Sequence, residues 1–151
     1  MTVFPETQYP DEFRTDTITL ADFTGATADT TVLVNQGLTG GPKGLVIDQI
    51  TVYLRTALDV DDGLVITIAK LDNDKKADDV GAGVTQIALV ILAANAPAGA
   101  RPIDLSSFSE QDLHLAPGQK LGFSVALAVG AGATTTVTDM WAVVSYRTRV
   151  A

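Results

Sequence analysis

Leu45-Val46-Ile47-Asp48-Gln49-Ile50-Thr51-Val52-Tyr53-Leu54-Arg55 is the stretch that decides the fold class. Ile50, Val52 and Leu54 alternate with Gln49, Thr51, Tyr53 and Arg55. Successive side chains of a strand point to opposite faces, so this period of two describes a strand with one face in a core and one toward solvent. Such half-buried alternation belongs to antiparallel sheets.

Working outward, the same grammar repeats. Thr17–Leu20, Thr30–Val34 and Leu64–Leu71 are short and β-prone, and so are Leu121–Val129 and Thr135–Thr148. The turns between them are written in Gly, Pro and Asp: Gly37–Gly44, Asp59–Gly63, Asp72–Asp79 and Ala116-Pro117-Gly118-Gln119. Val84–Ala93 is almost wholly apolar, and its β-branched residues predict a strand covered on both faces. Ser107-Phe108-Ser109-Glu110 matches a capping box and predicts one helical turn. About eight strands at short intervals predict an all-β, single-domain antiparallel β-sandwich of jelly-roll type. Residues 17–151 form its body. Residues 1–16, with Pro5, Pro10 and the spaced aromatics Phe4, Tyr9 and Phe13, show neither helical nor strand period and read as an extended N-terminal arm.

Composition narrows the function classes. Apolar residues are 46% of the chain, enough for a core, and aromatics only 6%. With no cysteine, disulfides, thiolate metal sites and cysteine catalysis are excluded. The net charge is −8; residues 1–79 carry 14 acids and 6 bases, residues 80–151 four of each. An acidic half repels phosphate backbones, so nucleic acid is not an expected partner. The acidity serves solubility, or docks a basic protein. The longest apolar run is too short to span a bilayer, and Met1–Glu6 lacks the basic and apolar regions of a secretory signal.

The search for chemistry returns little. His114 is the single histidine, which rules out a histidine-rich metal site; no nucleophile elbow accompanies it, and it reads as structural or exposed. Gly37–Gly44 places Pro42 before Lys43 and leads into no strong helix, so it is no phosphate loop. The Asp-rich segments 59–62 and 72–79 could bind calcium weakly, but Lys76 stands where a ligand belongs. Asp48, Asp104 and Asp139 are the only plausible paired carboxylates, and nothing in the sequence pairs them. Trp141 sits in a mostly apolar strand and reads as core. No enzyme activity, cofactor or metal is expected.

A β-sandwich body, an aromatic-bearing arm and no catalytic constellation together resemble the small decoration, or cement, proteins of tailed-bacteriophage heads. The resemblance lies in architecture and size. It implies a structural virion protein on the capsid surface, assembled in the host cytoplasm. Such a protein binds the major capsid protein, cements its subunits and self-associates as a dimer or trimer. Phe4, Tyr9 and Phe13 are the candidate anchors, and Arg147 and Arg149 the candidate ion-pair donors to a neighbour. The alternative is a carbohydrate- or receptor-binding β-sandwich of a phage fibre or lectin-like protein.

Overall fold

The computed structural model describes residues 12–20, 23–25, 31–58, 63–79, 81–93, 96–127, 135–137 and 140–148. Among these residues every regular element is a strand. Eleven are present: β1 (Glu12–Thr19), β2 (Phe23–Gly25), β3 (Thr31–Thr39), β4 (Leu45–Leu54), β5 (Leu64–Asp72), β6 (Val84–Leu92), β7 (Gly99–Pro102), β8 (His114–Leu115), β9 (Gln119–Leu127), β10 (Thr135–Val137) and β11 (Met140–Thr148).

The strands form two antiparallel sheets and a small ribbon. One sheet runs β1-β11-β4-β7, with β8 also paired to β4; the other runs β3-β9-β5-β6; β2 and β10 make the ribbon. Setting aside β2, β8 and β10, the pairings nest. First pairs with last (β1–β11), second with second-last (β3–β9), then β4 with β7, and β5 with β6. This is one long antiparallel hairpin rolled into a double-layered sandwich, which is the jelly roll.

The alternation read in Leu45–Arg55 holds in part: Ile50, Val52 and Leu54 are buried and Gln49 and Arg55 exposed. Thr51, however, is buried and Tyr53 half-buried on the expected solvent face, where β4 is flanked by β11 and β7. Ile50, Val52 and Leu54 join Met140, Ala142 and Val144 of β11, and across the sandwich Ile66, Ile68, Phe123 and Val125, in one apolar core. Burying each of the Val, Ile, Leu, Met and Phe side chains contributes about 1.5–3 kcal/mol, so this interior is what holds the sheets together. A bulge opposite Ser145/Tyr146 leaves Asp48 without a register partner, and Asp48 and Gln49 both turn outward. A bulge re-aims a side chain in this way, and here it carries the Asp48 carboxylate to Arg147.

The structure corrects several sequence expectations. The strand begins at Glu12, not at residue 17: Glu12–Asp16 pair in register with Thr148–Val144, so part of the expected arm is sheet. The partner strand supplied that order, which local period could not show. Residues 1–11 lie outside the described residues. The expected strand over 135–148 is divided into β10 and β11, and β7 was hidden by its Gly and Pro, which suit a short strand at a sheet edge. The capping box is real but lies two residues later. Ser109 N–H donates to Asp112 Oδ2 (2.9 Å) and Asp112 N–H to Ser109 Oγ (3.2 Å), closing a single turn that runs into β8.

Candidate interaction surfaces

Phe13 stands on β1, opposite Arg147. The inward side of β1 is occupied by Ile18 and by Asp16, whose Oδ2 accepts the Tyr146 hydroxyl at 3.0 Å. Phe13 takes the outward side with Thr15 and is 74% exposed. Among the described residues β1 pairs only with β11, so Phe13 sits on a sheet edge with backbone groups open beside it. An exposed aromatic can serve as an interface anchor where a partner offers it a pocket. Phe4, Tyr9 and Arg149 lie outside the described residues.

Arg147 does not stand free. Its Nε lies 2.8 Å from Asp48 Oδ1, and Nη2 lies 3.8 Å from Glu110 Oε2. It lines an open cleft of about 590 Å³ with Lys43, Gly44, Val46, Glu110 and His114. Gly44 adopts φ +76°, and a Cβ there would fall 2.8 Å from His114 Nε2 and from the Leu115 carbonyl. Only glycine permits this approach, which seats the imidazole against the loop. The cleft thus holds an arginine already matched by two carboxylates and a histidine used in packing.

The second edge of the sandwich is different in kind. β6 is one of the two terminal strands of its sheet, with β3 at the other edge, and its nine residues carry no charge. Val84–Ala93 was expected to be covered on both faces. Instead Leu89 is 50% and Ile91 65% exposed. Their register partners on β5, Thr67 and Val65, are also uncharged. A bulge at Ile68/Ala69 turns Ile87 inward, while Leu89 and Ile91 stay out. Beside β6 lies β7 of the other sheet, and the two edges frame a groove of about 540 Å³ lined by Leu89, Ile91, Arg101, Asp104 and Phe108. Arg101 Nη2 donates to the Pro97 carbonyl, and Asp104 accepts from Ser106 N–H at 2.9 Å. The hydrogen bonds from Ser106 hold the Asp104 carboxyl below the usual carboxylate range.

A third feature escaped sequence reading. Trp141 is not core: it lies on the outer face of the β1-β11-β4-β7 sheet, half-buried, stacked on its register partner Tyr53 with ring centroids 5.4 Å apart and planes 7° from parallel. The alternation around Trp141 already placed it opposite the buried Met140–Ala142 face; the apolar neighbours Val143 and Val137 hid that signal. Asp48 and Asp104, weighed as catalytic carboxylates, lie on different elements, one ion-paired and one in a turn; Asp139 lies outside the described residues. Among the described residues no three His, Cys, Asp or Glu side chains are placed to hold a metal ion. Asp79 caps Lys76 N–H (2.8 Å) and Asp72 accepts from Gln119. The 59–62 segment lies outside the described residues.

No protein-family model matches the chain, and no curated protein matches it. Solved structures similar to it include infectious bursal disease virus particles. The infectious bursal disease virus VP2 subviral particle has 15% identity over 92% of this chain and 38% of that one, with a TM-score of 0.36. The infectious bursal disease virus Gt strain has 17% identity over the same shares, with a TM-score of 0.33. The chain spans less than two fifths of the length of those proteins. The jelly-roll assignment rests on this chain's own strand order.

Proposed function

We propose that this protein is a structural virion component that clips onto a capsid surface and cements major capsid protein subunits. The observation that carries the reading is Phe13, three-quarters exposed on a strand that, among the described residues, pairs on one side only. Seating that ring in a pocket on a capsid subunit would give the contact a buried aromatic anchor. Many copies bound across subunit joints would resist separation by mass action and multivalency. The test is co-sedimentation of the full chain with purified particles: Phe13→Ser should leave the chain folded and unbound, and binding undiminished by that change would sink the anchor.

The second reading, a carbohydrate-binding module, has one observation in its favour, the outward Tyr53–Trp141 stack. Sugars pack their apolar faces on such rings. A glycan array giving saturable binding that is lost in Trp141→Ala, with no particle association, would favour it.

A further inference from the structure

We infer that the β6 edge is a homotypic interface, in which β6 of one copy pairs antiparallel with β6 of a second and the two β3-β9-β5-β6 sheets become one.

Charge decides the occupant. The chain carries −8, so two copies repel at most approaches. β1, a terminal strand of the other sheet, bears Glu12, Arg14 and Asp16; edge charges of this sort keep strands from pairing with other chains. β6 carries none, has no proline, and exposes Leu89 and Ile91. An antiparallel self-pairing sets the strand against its own sequence, and an uncharged strand meets no like charge when it does so.

The flanking strand supplies complementarity. The groove is lined by residues 87–91 of β6 and 101–104 beside it. A two-fold axis through its middle sets Leu89 against its own mate. It also sets Arg101 opposite the partner's Asp104, and Asp104 opposite the partner's Arg101. An isologous contact has this reciprocity: one plus–minus pair, written once in the sequence, occurs twice in the interface. The bond from Arg101 to the Pro97 carbonyl and the Ser106 bond to Asp104 fix both groups at the groove before a partner arrives. This surface lies on the opposite edge of the sandwich from Phe13, so a dimer leaves Phe13 open.

The test is the solution mass of the full chain by light scattering and sedimentation equilibrium, with a thermal melt on each variant. The wild type is expected at twice 15.8 kDa. Leu89→Lys should yield a monomer that still melts cooperatively, at a temperature that no longer depends on protein concentration, whereas the wild-type melt rises with concentration. Arg101→Asp should weaken the dimer at least tenfold, and adding Asp104→Arg to it should restore the dimer, because the swapped pair faces itself again. A monomeric wild type, a dimer indifferent to Leu89→Lys, a double swap that fails to restore association, or a dimer lost in Phe13→Ser instead would each overturn the inference. The readout is mass, so failure of the capsid reading leaves it standing, and the reverse.

Discussion

Tyr146 and Asp16, 130 positions apart, are joined by a 3.0 Å hydrogen bond that ties the first long strand of the jelly roll to the last. The bond closes the outermost pair of the nested hairpin, beside the edge that presents Phe13. Burial, with the adjacent Asp16, raises the Tyr146 phenol above its ordinary 10.0.

A phenol whose folded pKa is raised contributes stability that is fully present below pH 10.0 and lost as pH climbs through the folded value. Wild-type melting temperature should therefore fall above pH 10, and Tyr146→Phe should flatten that alkaline limb. At pH 7 the same change removes one hydrogen bond and should cost about 1 kcal/mol, read from urea unfolding.

Asp112 gives the opposite limb. Backbone and side-chain hydrogen bonds from Ser109 hold its carboxyl below 3.8. A depressed carboxyl contributes stability above its unfolded pKa, and that contribution disappears as pH falls through the folded one. Asp112→Asn should lower the melting temperature at pH 7 and weaken its dependence on acid below about pH 4, measured by thermal melts across the acid range.

Gly40 is fixed by close approach. Its N–H donates to the Gln119 carbonyl at 2.8 Å, and a Cβ would strike the Ala116 carbonyl oxygen and fall 2.8 Å from that of Leu115. Both obstacles are backbone, so relief requires moving a turn. Gly40→Ala should destabilise by about 1–3 kcal/mol, with an unchanged denaturant slope.

Trp141 is the single tryptophan, so its emission reports one site. Tyr53→Ala should shift that emission and cost about 0.5–1.5 kcal/mol beyond lost area through the broken stack. Glycan titration should leave the emission unchanged; a saturable change would move the account toward the carbohydrate reading.

Much of the body was legible because its signal is local. The alternation from Leu45 to Arg55 fixed a strand, its inward face and the antiparallel class, and the residues flanking Trp141 carried the same period. What was illegible depends on partners distant in sequence. Glu12–Asp16 show no period of their own and become strand through pairing with Val144–Thr148. The Ser145/Tyr146 bulge that aims Asp48 at Arg147 leaves no mark in either strand. β6 is the instructive failure. An apolar run predicts burial, and Leu89 and Ile91 are instead exposed, because whether a strand is central or terminal is decided by topology. Of the candidate residues, Phe13 is exposed on the β1 edge, and Arg147 is matched within the chain.

The central claim, attachment to a particle through the Phe13 edge, is tested most directly by density-gradient sedimentation of purified particles with saturating chain. Wild type should travel with the particles at a fixed ratio to the major capsid protein. Phe13→Ser, unchanged in stability to within about 0.5 kcal/mol as expected for a surface position, should remain at the top of the gradient. Wild type remaining at the top, or the variant travelling at the wild-type ratio, would contradict the account.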